Sequence, residues 1–127
     1  MRLLLDTHAL LWFAQDADRL SPAGRRAIVD SANVKYVSAA SAWEIATKAR
    51  LGKLDAGPLA TNFVVTVEAE GFQILSITAD HAQRAGGLVG AHGDPFDRML
   101  MAQSLLTGMP LVSNEVVFDQ FGVTRVW

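Results

Sequence analysis

The sequence predicts an α/β fold in three layers, with helices on both faces of a parallel sheet of about four to five strands. Three observations lead there. Short apolar runs such as Leu3-Leu4-Leu5 alternate with segments that open on helix-starting residues and close on glycine or proline. The first run is continuously apolar rather than apolar at every second place, which suits a strand covered on both sides. The chain has 127 residues and is 50% hydrophobic. A chain of that size buries roughly two-thirds of its unfolded surface. One domain over residues 1–127 is therefore expected.

Taken in order, residues 2–5 form the first strand, which ends at Asp6, and Thr7 to Gln15 form the first helix. Ser21-Pro22 supplies an N-cap and a proline at the first helical position, opening a helix to about Ser31. Lys35 to Ser38 form the second strand. Ser41 starts the next helix, with Trp43, Ile45, Ala46 and Ala49 turned inward and Gly52 closing it. Gly57-Pro58 opens one helix that runs to Gly71. Phe72 to Leu75 form the third strand, and Thr78 caps a short helix through Arg84. Glycines 86, 87, 90 and 93 make the following stretch a loop that carries His92. Pro95 to Thr107 form a helix that is apolar almost all round, the pattern of a buried helix, stopped by Gly108 and Pro110. Leu111 to Ser113 form the fourth strand. A helical turn at 116–121 leads to a possible edge strand at 123–126.

Composition narrows the function classes. There is no cysteine, hence no disulfide framework and no thiolate metal site. Arg2 and the three leucines are cut short by Asp6 and His8, too early for a signal peptide. The longest uncharged run, Met99 to Asn114, falls short of the ~20 apolar residues of a membrane span. The expectation is an intracellular, cytoplasmic protein without a membrane segment. With 11 basic and 13 acidic residues the net charge is −2. The chain is thus no groove-tracking cation, and a phosphate-bearing ligand would need local charge, metal ions or a second chain. His8, His81 and His92 lack zinc-type spacing, and no phosphate-cradling glycine loop or nucleophile elbow is present.

The acids carry the chemistry. Asp6 ends the first strand, Glu44 follows the second, and Glu115 follows the fourth. Ligands of open α/β sheets bind outside the carboxyl ends of the strands. Asp97, in the first turn of the helix from Pro95, joins them if that helix runs back against the strands, as right-handed crossovers require. Each acid also has a local explanation. Ser41 and Glu44 fit a capping box, and Glu44 with Lys48 fits an i, i+4 ion pair. Asp6 and Glu115 can cap the helices that follow them, and Asp97 can offset a helix dipole. If the acids converge, their repulsion decides the chemistry. Two carboxylates ~4 Å apart repel by about 4 kcal/mol at an effective dielectric near 20. Hard oxygen ligands without cysteine or histidine suit Mg²⁺ or Mn²⁺. One or two such ions support phosphodiester hydrolysis by a metal-activated water.

Several segments together resemble the PIN-domain ribonucleases, and within them the VapC-type toxins of toxin–antitoxin pairs. They are residues 4–8 (LLDTH), 37–45 (VSAASAWEI), 92–100 (HGDPFDRML) continuing to Ala102-Gln103, the Val112-Ser113 strand and the closing Val126-Trp127. The resemblance covers nearly the whole chain. It implies a PIN-like fold and a metal-dependent endoribonuclease, with Asp6, Glu44 and Asp97 as the metal-binding and catalytic acids. The family's fourth acid is usually an aspartate after a threonine; here Ser113-Asn114-Glu115 stands there, and Glu115 is one methylene longer. Thr7, Ser41, Asp94 and Ser113 fall where supporting groups are expected, although Asp94 before Pro95 also reads as a cap. The resemblance further implies an RNA substrate, a cognate antitoxin and a homodimer. Leu10 to Phe13 could supply dimer surface or could be covered by the chain's own core. Lys48, Arg50 and Lys53 read more readily as a solvated helix face than as an RNA guide. Two other readings compete. A receiver-like, Mg²⁺-binding signalling domain would need an acidic neighbour to Asp6 and an aspartate near Leu75-Ser76-Ile77, and neither is present. A PIN-like module that binds without cutting draws support only from Glu115.

Overall fold

The computed structural model describes residues 1–127. Its centre is a five-stranded sheet in the order β3-β2-β1-β4-β5, every adjacent pair parallel. The strands are β1 (Arg2–Leu5), β2 (Val34–Ser38), β3 (Gln73–Leu75), β4 (Leu111–Val112) and β5 (Arg125–Val126). The helices are α1 (Thr7–Gln15), α2 (Pro22–Val29), α3 (Ala39–Arg50), α4 (Pro58–Thr61), α5 (Phe63–Ala69), α6 (Ala79–Gly87) and α7 (Pro95–Thr107), with 3-10 turns at Ala17–Arg19 and Val116–Phe121. No helix is long and apolar enough to cross a membrane.

β1 explains the layering. Its side chains alternate between faces. Leu3 and Leu5 join one buried cluster with Ala9, Leu10, Leu11, Ile28, Ile45, Leu59 and Val67. Leu4 joins the other, with Leu100, Met101, Leu111 and Phe118. Helices α1 to α5 therefore cover one face, and α7 with the last 3-10 turn covers the other. The central strand is buried on both sides because Leu3, Leu4 and Leu5 are all apolar.

Register sets the working edge. Leu5 stands opposite Val37 on one side and Val112 on the other. Asp6, Ser38 and Ser113 therefore follow the same row across the end of the sheet. The row is tied by the Asp6 amide, which donates to the Val112 carbonyl at 3.1 Å. With all strands parallel, each connection must return to the opposite edge, so α7 begins at the carboxyl edge before delivering the chain to β4.

Several local expectations need correction. The third helix starts at Ala39, not Ser41, because the Ser38 hydroxyl caps it by accepting from the Ala40 amide at 2.9 Å. No Ser41–Glu44 capping box forms, and Glu44 lies in the second turn. Trp43 points outward, 61% exposed, and Ala46 is exposed too. The helix expected from Gly57 to Gly71 is two helices, broken at Asn62, whose backbone leaves helical angles (φ −136°, ψ 50°). Helix α6 continues through Gly86 and Gly87. Helix α7 is not buried all round: Leu106 is exposed, while Phe96, Met99 and Leu105 are partly so. Leu10 and Leu11 are buried, and Trp12 and Phe13 pack against the same cluster. The chain's own core thus covers that helix.

The loop between α6 and α7 is held by a residue the sequence did not single out. The Arg98 guanidinium donates to the carbonyls of Ala85 and His92, each at 2.9 Å, and to that of Leu88. Gly90 lets this loop pass over Phe121, where a Cβ would lie 2.5 Å from the ring. Arg98 and Gly90 together fix where His92 stands.

Candidate metal centre

Asp6 is the innermost acid. It is 3% exposed and caps α1, its Oδ1 accepting from the Ala9 amide at 2.7 Å. Burial pushes its pKa from 3.8 up to about 6. The Ser113 hydroxyl, the Ala9 amide and the His8 ring work against that shift, and the charge of Asp97 adds to it. Asp6 is thus a helix cap whose charge is opposed chiefly by burial and also by Asp97.

Asp97 lies in the first turn of α7 and is half-buried. Its pKa is also raised, first by burial and then by the charges of Asp94 and Glu44. Against these acts His92, whose Nε2 donates to Asp97 Oδ2 at 2.8 Å. Asp94 caps α7, its Oδ1 accepting from the amides of Phe96 (2.9 Å) and Asp97 (3.0 Å). The capping reading of Asp94 is the observed one, yet its charge still reaches Asp97 and Lys48.

Glu44 is 3% exposed, and its Oε2 accepts from the Lys48 ammonium. Its Oε1 is buried with no hydrogen-bond partner. The i, i+4 ion pair is the local explanation that the structure bears out. A helical side chain leans toward its helix N-terminus, so Glu44 reaches back toward the carboxyl edge from the second turn. Beneath it, the buried hydroxyls of Thr7 and Ser41 pair at 2.9 Å and join α1 to α3. Ser113 is fully buried, and its Oγ accepts from the Glu115 amide at 3.0 Å. Glu115 itself begins the last 3-10 turn without a side-chain cap and is partly exposed. Its expected capping role is not seen.

The charge of Asp97 thus reaches Asp6, and that of Glu44 reaches Asp97, but each of the three carboxylates is turned to a local partner. As they stand, no three histidine, aspartate or glutamate side chains are arranged to hold an ion. His8 takes no part in this hydrogen bonding: it is exposed and stacks on Trp12 at 5.6 Å. Sequence reasoning passed over His92, because only the folded loop brings it to Asp97. It noted Lys48, and the i, i+4 spacing was the signal.

Two hollows flank the acids. One, of about 490 Å³, is a polar groove between α1 and α3 lined by Thr7, His8, Trp12, Glu44, Lys48 and Lys53 among others. The other, of about 190 Å³, is apolar and lies between α3, α6 and α7. Its rim carries Trp43, edge-on to Phe96 at 4.8 Å, with Ile77 and Met99 beside them.

A parallel three-layer α/β domain with acids gathered at the carboxyl edge of its central strands is the class that fold and site define. The model of the PIN domain matches residues 3–123, and the chain belongs to the PIN-domain family. No curated protein matches the sequence. Among solved structures, the chain is similar to VapBC2 from Rickettsia felis bound to a promoter DNA fragment, with a TM-score of 0.71 and 13% identity over 98% of this chain and 97% of that one. It is similar to VapC20 of Mycobacterium tuberculosis, described as a sarcin-ricin loop cleaving toxin, with a TM-score of 0.67 and 18% identity over 96% of each chain. It is also similar to VapBC-1 from nontypeable Haemophilus influenzae, with a TM-score of 0.64 and 13% identity over 98% of this chain and 96% of that one. At these identities the likeness is one of fold.

The Asp6 shift predicts a stability change of definite sign. In the unfolded chain this carboxyl ionises near 3.8, and in the folded protein near 6. Below the lower value both states hold the proton and ionisation costs nothing. As pH rises through that window the unfolded state loses its proton first, and stability falls. Above the upper value the full cost remains. Asp6→Asn is therefore expected to stabilise the metal-free protein by about 1–3 kcal/mol at pH 8, with the gain fading below about pH 4. Thermal melts of both proteins in chelator across that range check it. An Asp6→Asn protein less stable than wild type at pH 8 would contradict the cost assigned to the buried Asp6 charge.

Proposed function

We propose that the protein is a Mg²⁺- or Mn²⁺-dependent endoribonuclease, the toxin of a type II toxin–antitoxin pair, acting in the cytoplasm. The observation that carries this reading is the set of acids Asp6, Asp97 and Glu44 at the carboxyl edge of a PIN fold, with the charge of Asp97 felt at Asp6, that of Glu44 felt at Asp97, and Glu44 Oε1 buried and unpartnered. The donor set fits the ion. It consists of carboxylate oxygens, hard ligands of the kind Mg²⁺ and Mn²⁺ take, and a cation is what their repulsion calls for.

Asp6, Glu44 and Asp97 would hold the metal, with Glu115 contributing at the rim, and these four acids form the catalytic set. A divalent ion bound there supplies an activated water and countercharge for a phosphoryl oxygen. The remaining work belongs to the chain. The Ala9 amide fixes the Asp6 carboxylate, the Ser113 hydroxyl favours its charged form, and the Thr7–Ser41 pair locks α1 against α3. Asp94 caps α7 and thereby sets the position of Asp97.

Two hollows support the partners of this reading. The polar groove opens beside Glu44, so an antitoxin segment lying in it would cover the acids, and its cations Arg19, Lys48 and Lys53 suit RNA phosphates when it is free. The exposed Trp43 and its neighbour Phe96 form an apolar surface outside the core, and a homodimer would bury it. That surface, rather than the covered α1, is the dimer face of this proposal.

Cleavage of a structured RNA by the purified chain is expected with Mg²⁺ or Mn²⁺ and not with chelator. Asp97→Asn is expected to lower the rate at least 100-fold, in the range seen when a main electrostatic group of a site is lost. Folded wild-type protein that leaves RNA intact under every metal condition would favour the non-cleaving module instead. Light scattering tests the dimer: Trp43→Ser is expected to turn a dimer into a monomer, and a monomeric wild type would sink that part of the proposal.

A further inference from the structure

Helix α3 brings its own cation to the acids. Lys48 follows Glu44 by about one turn of the helix, and its ammonium donates to Glu44 Oε2. Glu44 is 3% exposed, and its second oxygen has no partner. A buried carboxylate is normally satisfied at both oxygens. Half-satisfied, Glu44 has the form of a ligand held by a stand-in. Lys48 also feels more than Glu44. Burial works against its charge, but the bond to Glu44 and the charges of Glu44, Asp94 and Asp97 outweigh that and raise its pKa above the ordinary lysine value. One ammonium thus faces acids that the reading above assigns to a divalent ion or to its surroundings. The Lys48 side chain is 36% exposed and lines the groove with Arg19 and Lys53. Its flexible stem has somewhere to go.

We propose that Lys48 is a tethered counter-cation of the site, holding Glu44 while the metal is absent and leaving Glu44 when a divalent ion binds. The inference rests on the proposed metal-dependent function. Two cations cannot both occupy Oε2 at contact distance without strong repulsion. Because the ammonium is attached one helical turn away, it competes at a fixed effective concentration that dilution does not change. Lys48 is therefore a positioning residue that sets the threshold at which the protein takes up its ion. It also keeps Glu44 from standing charged and unpaired in the buried metal-free site, a state that is strongly unfavourable.

The test is Mn²⁺ binding by calorimetry on the full chain, with melting curves in parallel. The proteins are wild type, Lys48→Met, Lys48→Arg, Glu44→Gln, the Lys48→Met/Glu44→Gln double variant and Asp97→Asn. Lys48→Met is expected to bind Mn²⁺ about three- to tenfold more tightly than wild type, the range for losing a partly buried ion pair. Its melting temperature should also rise more on adding Mn²⁺. Lys48→Arg, which keeps the cation, is expected to stay within about twofold of wild type. In the Glu44→Gln background the gain from Lys48→Met should vanish, because the competitor has nothing left to compete for. A gain of the same size in that background would mean that Lys48 acts as diffuse charge, and the proposal would fall. Unchanged or weaker binding by a folded Lys48→Met protein would overturn it as well. Lys48→Gln replaces that variant if the methionine protein does not fold. If Asp97→Asn abolishes binding while Lys48→Met changes nothing, only this inference fails. If wild type binds no Mn²⁺, the metal-dependent function fails with it.

Discussion

The structure depends on a conflict at the end of its central strand. Burying β1 on both faces requires Leu3, Leu4 and Leu5 to lie in two clusters at once, and the next residue is a carboxylate with almost no access to water. Desolvation opposes its charge, as does the nearby Asp97. A domain needing only a cap for α1 could use serine there, as α2 and α3 do with Ser21 and Ser38. A buried acid beside other acids is destabilising by itself, and such strain gathers at working sites.

Local partners relieve the conflict piecemeal. Glu44 leans on Lys48, Asp97 on His92, and Asp6 on the Ala9 amide. The site's carboxylates are thus held one by one. Its frame is firm where the backbone sets it, through the aligned ends of β1, β2 and β4 and the Thr7–Ser41 pair. It is adjustable where side chains set it. Arg98 extends the firm part by tying down the loop that carries His92.

The sequence made the architecture legible because the central strand is a compact apolar run and most helices carry a recognisable start or stop signal within a few residues of their ends. Asp6, Glu44 and Asp97 were legible as a group once the strands were taken as parallel, since direction alone brings their elements to one edge. Finer points were not, for physical reasons. Ser38 and Ser41 are both competent caps, and the choice rests on sheet register, which a local pattern does not contain. Trp43 is apolar, yet it lies on a face of α3 that the monomer leaves open, and composition cannot tell a core face from an interface. The bend at Asn62 is a single departure inside an otherwise helical pattern. His92 reaches Asp97 only because Arg98 and Gly90 shape the loop, a contact with no periodic signature. Lys48 could be seen because its partner is one helical turn away.

Crystals grown without metal, soaked in MnCl₂ and measured at the manganese absorption edge, would show whether the acids at the end of β1 share a cation. An anomalous peak is expected among the carboxylates of Asp6, Asp97 and Glu44, with Glu44 turned away from Lys48. Well-ordered crystals in which those side chains keep their present partners, with no peak between them, would contradict it.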